Sequence, residues 1–239
     1  MSSMGPVMNG TGTGSRGARV TGVDGCRNGW AGVDLGDDGL VTVRAAASLD
    51  ELLAGGGGQQ VVGIDMPLGL LASGWRTADR EVRALLGPRR SSIFAIPPAP
   101  VWAAPTYAAA NWLCRDLTGN GFSVQAWGLR RKLLEAAEYR LCCPHPLYEV
   151  HPELSFRVMA GAPLEHPKHT AAGHAQRRDL LARAGLVLPA DGVLGRIAVD
   201  VLDAAAAAWT ARRIAGGRAD VIPDPPQADA TGRDVAIRC

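Results

Sequence analysis

Short apolar segments rich in β-branched residues alternate with glycine-containing turns along the first part of the chain. Segments of this kind, bounded by turn residues, predict β-strands. Because the turns between them are short, the three segments are expected to pair as an antiparallel meander. The predicted strands span residues 20–24, 30–35 and 40–46, and the turns span 25–29 and 37–39.

A helix and a fourth strand follow the meander. Ser48 stands three residues before Glu51, which is the spacing of a capping box at a helix N-terminus. The glycine run 55–58 is expected to end this helix, and residues 61–65 form the next apolar segment. Because the connection passes through a helix, the fourth strand can lie parallel to the first. The pattern therefore predicts a β-β-β-α-β arrangement.

The rest of the chain is predicted to be mainly helical. The segment 88–122 contains several prolines and is predicted to be an irregular insertion, which at this length is usually functional in a compact domain. The whole pattern predicts one α/β domain over residues 19–239, with a mixed sheet and flanking helices. The predicted helices span 77–86, 125–140, 176–184 and 200–215, a fifth strand spans 147–150, and a turn spans 151–153.

Composition restricts the class of protein. Hydrophobic residues make up 47% of the 239 positions, which is enough to fill a core. Residues 1–18 are rich in Gly, Ser and Thr, lack the apolar segment of a signal peptide, and are predicted to be disordered. The apolar run 201–211 is too short to span a bilayer, and the five cysteines fit neither a zinc site nor a disulfide framework. A reduced cytoplasmic protein is therefore expected.

Four acidic residues give the strongest indication of chemistry. Asp24 and Asp65 end the first and fourth predicted strands, where open α/β sheets bind ligands. Asp200 and Asp203 are three residues apart at the start of the last predicted helix, so they share a face. Carboxylates gathered from distant segments repel one another unless a cation neutralises them, and hard oxygen ligands suit Mg²⁺ or Mn²⁺.

Each of these residues also has a structural interpretation. Asp24 precedes Gly25, and Asp-Gly is a common turn pair. Asp65 could cap the end of a strand, and Asp200 and Asp203 could favour the positive end of a helix dipole. Their joint placement, within a β-β-β-α-β arrangement followed by a late helix, is what favours a shared metal site.

A second acidic group surrounds one histidine. Glu149 and Glu153 flank His151 at the end of the fifth predicted strand. Such a corner could hold a metal ion or position a water molecule, and it could equally form a salt bridge at the end of a strand. The sequence leaves both interpretations open.

Basic residues offer candidate phosphate contacts. The net charge of +2 is too small to attract nucleic acid by bulk electrostatics, so any such binding requires local patches. Arginine and lysine side chains could grip phosphates, whereas the alternative for each one is a solvated helix face. The candidates are Arg27, Arg80, Lys168 and Arg177.

Six ordered motifs carry a likeness to known proteins, from about residue 20 to the C-terminus. They are Val23-Asp24-Gly25-Cys26-Arg27, Ile64-Asp65-Met66-Pro67, Ser92-Ile93-Phe94, Gln125-Ala126-Trp127-Gly128-Leu129, Glu149-Val150-His151-Pro152-Glu153, and the helical segment that begins Asp203-Ala204. Together they resemble a bacterial and archaeal family known as domain of unknown function 429, commonly labelled a predicted ribonuclease-H-like nuclease.

The resemblance implies a fold and a set of acidic residues. The ribonuclease-H-like superfamily has a β-β-β-α-β core, with one Asp on strand one, an acidic residue near strand four, and one or two more on the last helix. Asp24, Asp65 and Asp203 fit those places, and Asp200 with Asp203 resembles the paired aspartates of Holliday-junction resolvases. Ribonuclease H itself also has a Glu on its first helix. This sequence has no clear equivalent there, and Glu51 is only a weak candidate.

The first functional hypothesis is a two-metal phosphodiesterase that uses Mg²⁺ or Mn²⁺ and acts on DNA or RNA. Asp24 would bridge both ions, Asp65 and Asp203 would each complete one site, and Asp200 would ligate or orient. Glu149 or His151 would act as a base beside them. The alternatives are a nucleotide-phosphate enzyme related to actin and sugar kinases, and a non-catalytic binding protein of the same fold.

Overall fold

A five-stranded mixed sheet forms the centre of the protein, for which the computed structural model describes residues 19–36, 39–54, 60–143 and 145–239. The strand order is β3-β2-β1-β4-β5. The first three strands pair antiparallel, and β4 is parallel to both β1 and β5, as the helical connection predicts. The strands are β1 Val20–Cys26, β2 Gly29–Leu35, β3 Val41–Ala46, β4 Val61–Ile64 and β5 Leu147–Glu149.

Ten α-helices are present in the described ranges. The first helix begins at the predicted cap, because the Ser48 hydroxyl accepts a hydrogen bond of 3.2 Å from the Glu51 amide. The capping box differs in its second bond, since the Glu51 carboxylate accepts from the Ala47 amide and not from the Ser48 amide. The helices are α1 Leu49–Leu53, α2 Thr77–Leu86, α3 Ala99–Trp102, α4 Tyr107–Thr118, α5 Val124–Gly128, α6 Arg130–Cys142, α7 Pro152–Ala160, α8 Ala171–Arg183, α9 Asp191–Leu194 and α10 Ala198–Ala215, with 3-10 turns at Gly87–Ser92 and Gly195–Ile197.

The segment 88–122 is largely helical, so the prediction that it is irregular was wrong. Pro88 lies at the start of the 3-10 turn and Pro100 in the first turn of α3, where the missing amide costs no hydrogen bond. Pro97, Pro98 and Pro105 lie in the connections before α3 and α4. Thr106 caps α4 by accepting from the Ala109 amide at 3.3 Å. Trp102 is buried and stacks on Trp127 with ring centroids 6.1 Å apart, which joins this segment to the main core.

Three other predictions needed correction. The predicted helix 125–140 is two helices that meet at Leu129. The predicted turn 151–153 instead opens α7, with Pro152 in its first turn. The hairpin of β6 Val221–Ala228 and β7 Asp234–Arg238 was not expected, because the prolines in β6 obscure the alternation that predicts a strand. A parallel bridge between Val150 and Arg238 joins this hairpin to the end of β5.

Helix α10 lies directly on the sheet because small residues meet at the contact. A Cβ atom built on Gly22 of β1 would overlap the backbone of Ala204 and Ala208, and one built on Gly63 of β4 would overlap the Ala207 carbonyl. The helix can therefore approach β1 and β4 more closely than larger side chains would allow. This close packing fixes the height of the acidic residues of α10 above the strand ends.

Some predictions fall on parts of the chain outside the described residues. These are the disordered segment 1–18, the turn residues Asp37 and Asp38, and the glycine run 55–58. The five cysteines are all free thiols. None of the helices described is both long enough and apolar enough to cross a membrane.

Candidate functional site

Asp24 and Asp65 lie side by side, directly after the last paired residues of β1 and β4. Strand β1 continues to Cys26, so the prediction that it ends at Asp24 was wrong. Val23 of β1 is in register with Ile64 of β4, and the Asp65 amide donates to the Val23 carbonyl at 2.8 Å. The two aspartates are therefore neighbours at the carboxyl edge of the sheet. Asp24 is buried, and one of its carboxylate oxygens accepts from the Gly25 amide at 2.7 Å.

Helix α10 adds a third carboxylate, and a loop adds a lysine. Asp203 is buried on the face of α10 that packs against the sheet, and Asp200 lies nearly one turn earlier. The Lys168 ammonium, from the connection between α7 and α8, donates to Asp203 at 3.0 Å. The sequence had placed Lys168 only as a phosphate contact, and its pairing with Asp203 depends on residues 35 positions apart.

Burial and mutual repulsion change the ionisation of this acidic cluster, defined here as Asp24, Asp65, Asp200 and Asp203. Burial raises the pKa of Asp24 well above its usual range, and the nearby charges of Asp65, Asp203 and Asp200 raise it further. Burial, followed by repulsion from Asp203, raises the pKa of Asp65 to about 8. Burial also raises the pKa of Asp200. The cluster therefore holds carboxylates that resist ionisation at neutral pH.

Lys168 is the cation that offsets this repulsion. Burial alone would lower the pKa of its ammonium, but Asp203, Asp65 and Asp24 outweigh burial and raise that pKa overall. The ammonium in turn lowers the pKa of Asp24 and of Asp65, acting against the larger effects that raise them. Lys168 therefore serves the acidic cluster as an internal counter-ion.

A cavity of about 390 Å³ opens beside the cluster. Asp24, Asp65 and Lys168 line its polar side. The opposite wall is mainly apolar, so the cavity combines a charged edge with a surface suited to the organic part of a ligand. The apolar wall consists of Met66, Pro67, Ile93, Phe94, Ile96, Leu129, Val150 and Ile237.

Glu149 reaches the same cavity but is committed to a buried network. Its carboxylate accepts from the Arg76 guanidinium and, at 2.9 Å, from the Leu68 amide. Arg76 also contacts Asp79 at 3.3 Å, and Asp79 accepts from the Ile96 amide at 2.8 Å. Burial raises the pKa of Asp79 to about 7. Each oxygen of Glu149 accepts one hydrogen bond, so its carboxylate is held in place in the cavity wall.

His151 has one ring nitrogen without a hydrogen-bond partner among the described residues. Its Nε2 atom lies 3.3 Å from the Ser92 carbonyl, whereas its Nδ1 atom is buried and has no partner among the described residues. Burial lowers the pKa of the imidazole, so the ring is neutral at physiological pH. Because His151 lines the cavity together with Asp24, it can accept a proton there.

The remaining basic candidates are dispersed. Arg177 is buried, pairs with Glu153, and donates to the carbonyls of His166 and Gly173 at 3.2 and 2.9 Å. It therefore anchors the loop that carries Lys168 and is not available to a phosphate. Arg80 is exposed on α2 and does not line the cavity. Arg27 is exposed in the turn between β1 and β2 and lines a neighbouring cavity.

Two residues of the site carried no specific signal in the sequence. Lys132 lines the cavity, donates to the Gly29 carbonyl, and places its ammonium 4.5 Å from the centre of the Trp30 ring. It is one of several basic residues at the start of α6, and nothing in their spacing distinguishes it. Arg76 likewise appears as one of several arginines near α2, and only its burial shows that it supports Glu149.

The donor chemistry suits a divalent cation, although the geometry does not form a complete cage. Across the described ranges, no group of three or more His, Cys, Asp or Glu side chains lies close enough together to hold a metal ion. Mg²⁺ usually needs only one or two carboxylates, and takes its other ligands from water and substrate phosphate. Asp24 and Asp65 supply hard oxygen donors of this kind at the cavity edge.

Comparison with known proteins identifies the family but no characterised relative. Residues 22–228 match the family described as Protein of unknown function (DUF429). The chain belongs to this family. No curated protein and no solved structure matches the DUF429 chain.

Proposed function

We propose that this DUF429 protein is a divalent-metal-dependent phosphodiesterase that acts on nucleic acid. The observation that carries the proposal is the pair Asp24 and Asp65. They directly follow the last paired residues of the parallel strands β1 and β4, and burial and repulsion raise the pKa of both. Carboxylates held close together repel one another, and a bound cation would remove this repulsion and be attracted by both charges. Lys168 alone offsets only part of it, since the pKa of each aspartate remains raised.

The strand order supports a ribonuclease-H-like fold within this proposal. An antiparallel β1–β2–β3 meander followed by a helix and a parallel β4 gives the β-β-β-α-β order of that superfamily. Asp24, Asp65 and Asp203 then occupy the strand-one, strand-four and last-helix places of its acidic residues. This likeness supports the nuclease assignment only by analogy, because one fold hosts many functions.

Asp24 and Asp65 would hold Mg²⁺ or Mn²⁺, with Asp203 and Asp200 completing the negative site. A bound ion would neutralise phosphate charge and lower the pKa of an attacking water. His151, neutral and with Nδ1 free, would accept a proton from that water. The apolar wall of the cavity would hold the base or sugar next to the scissile phosphate and keep bulk water away.

Hydrolysis assays on matched variants test this function. Wild type, Asp24→Asn and Asp116→Asn are incubated with labelled single- and double-stranded DNA and RNA, in Mg²⁺, Mn²⁺ or chelator. Asp116 is an exposed residue of α4 and serves as the control. We expect metal-dependent cleavage by wild type and Asp116→Asn, and a loss of about a thousandfold in Asp24→Asn. Cleavage of equal rate in Asp24→Asn would show that the acidic cluster is not the active site.

A further inference from the structure

A second cavity adjoins the acidic one and has the opposite charge. Its volume is about 400 Å³, and it shares Gly128 and Lys132 with the first cavity. The turn between β1 and β2 forms one side, and the first turn of α6 forms the other. The lining residues are Arg27, Asn28, Gly29, Ala47, Gly128, Arg131, Lys132 and Glu135.

Two arginines of this basic cavity have no partner within the described residues. Arg27 and Arg131 are both exposed, and neither forms an ion pair or a hydrogen bond there. Lys132 donates to a backbone carbonyl and lies over the Trp30 ring, so its positive charge meets no carboxylate within ion-pair distance. Three cations therefore face one cavity without direct neutralisation.

The lining contains one acidic residue against three cations, and one oxygen of its carboxylate, Oε1, accepts two hydrogen bonds. Glu135 accepts from the Trp30 indole at 2.9 Å and from the Leu49 amide at 2.8 Å. It fixes α6 against the sheet and α1 and does not pair with the arginines. The basic cavity therefore carries a net positive charge.

The position of these cations on α6 is unfavourable in the free protein. Arg130, Arg131 and Lys132 occupy the first turn of a 13-residue helix that has no acidic residue there and no side-chain cap. Positive charge at the positive end of a helix dipole is destabilising. A bound anion would reverse this effect, because it would interact favourably with the dipole and with all the cations that face the cavity.

We propose that the basic cavity binds a backbone phosphate of a polynucleotide, next to the phosphate held at the acidic cluster. Gly128 and Lys132 line both cavities, so the cavities are neighbours and one strand can place neighbouring phosphates in both. Arg27 and Arg131 grip the flanking phosphate, and Lys132 stands at the border between the two sites. The inference rests on the proposed function and adds that the substrate extends beyond a single phosphodiester.

Equilibrium binding tests this subsite without requiring hydrolysis. The anisotropy of a fluorescent single-stranded oligonucleotide is measured in chelator, over a range of salt concentrations, for wild type and for the double variant Arg27→Gln/Arg131→Gln. Arg115→Gln/Arg218→Gln is the control, because it removes the same charge from exposed residues that line neither cavity. We expect binding to weaken about tenfold or more only in the first variant, and the salt slope to fall by about 0.7 for one lost phosphate contact.

The outcomes separate this inference from the proposed function. Equal weakening in both double variants, or none in either, would overturn the subsite. Loss of ATP binding in Arg27→Gln/Arg131→Gln with unchanged oligonucleotide binding would assign the cavity to a nucleoside triphosphate and overturn the polynucleotide proposal. If oligonucleotide binding depends on Arg27 and Arg131 but wild type cleaves no substrate in Mg²⁺ or Mn²⁺, the subsite stands and the proposed hydrolysis falls.

Discussion

Asp34 and Asp24 lie on neighbouring strands of one sheet and differ in what surrounds them. Asp34 on β2 is buried, and it accepts hydrogen bonds from Arg19 at 2.7 Å, Arg44 at 2.9 Å and the Thr21 hydroxyl at 2.6 Å. Burial acts to raise its pKa, but the hydrogen bonds from Arg44, Thr21 and Arg19 outweigh burial and lower it. Asp24 is also buried, but most of its neighbouring charges are carboxylates, and its pKa is raised.

The difference shows how a buried acid in this fold can be assigned a role. A carboxylate that is buried with cations and hydrogen-bond donors stabilises the folded state. A carboxylate that is buried among other carboxylates lowers the stability of the folded state, and such a group is typical of sites where a bound ligand offsets the repulsion. Asp34 belongs to the first class, and Asp24 and Asp65 belong to the second.

The largest expected effect on stability follows from removing the charge of the satisfied acid. Asp34→Asn removes the negative charge that pairs with the Arg44 guanidinium. We therefore expect the free energy of unfolding to fall by about 2–3 kcal/mol. Asp24→Asn removes repulsion, so the free energy of unfolding without divalent metal should stay constant or rise. Urea denaturation at pH 8 measures both values. If Asp24→Asn lost as much stability as Asp34→Asn, the assignment of the two aspartates to different classes would be wrong.

The pH dependence of stability should have opposite signs at the two sites. The pKa of Asp65 is raised from 3.8 to about 8, so the folded state binds its proton more tightly than the unfolded state does. Stability therefore falls as pH rises from about 4 to 8, by at least about 1.4 kcal/mol, the equivalent of one pKa unit. The lowered pKa of Asp34 contributes stability that is lost only as pH falls below about 4.

Asp65→Asn provides the direct measurement of that pH effect. Unfolding of wild type and Asp65→Asn is compared at several pH values between 5 and 8, without divalent metal. The slope of the wild-type curve should flatten in the variant, while Asp79, whose pKa is raised to about 7, contributes equally to both proteins. Parallel curves would mean that Asp65 ionises normally in the folded state.

A smaller effect is expected from the internal counter-ion. Lys168→Gln removes the ammonium that contacts Asp203, so the acidic cluster should hold Mn²⁺ more tightly. We expect affinity to rise about tenfold, equal to about 1.4 kcal/mol, as measured by calorimetric titration. Unchanged Mn²⁺ affinity would show that the ammonium and the metal do not compete for the same carboxylates.

The smallest effect is expected at Arg80, which lies outside both cavities. Arg80→Gln should change the free energy of unfolding by less than about 0.5 kcal/mol, as exposed substitutions usually do. Its oligonucleotide affinity at constant salt should match wild type within the error of the anisotropy measurement. A clear loss of affinity would extend the nucleic-acid surface onto α2 and weaken the assignment of the flanking phosphate to the basic cavity.

Regular local patterns made much of the fold predictable. The meander, the capped first helix, the fourth strand and helix α2 follow from alternation, turn residues and capping signals that act within a few positions. The helices between 88 and 122 were missed because prolines that mark helix starts were interpreted as breaks. The final hairpin was missed because its prolines hide the strand pattern.

For the candidate site, the sequence by itself determined that Asp24 and Asp65 follow the apolar residues of the first and fourth strands and that Asp200 and Asp203 share a helix face. Strand and helix periods are local properties, so these positions needed no knowledge of the partners. Only the tertiary structure decided which carboxylates are neutralised. Lys168 reaches Asp203, Arg76 reaches Glu149, and Arg177 turns inward to Glu153. These pairs join separate elements of the fold, and burial makes each unpaired charge costly. For the pair of Lys168 and Asp203, Gly22 and Gly63 also matter, because they let α10 pack closely on the sheet.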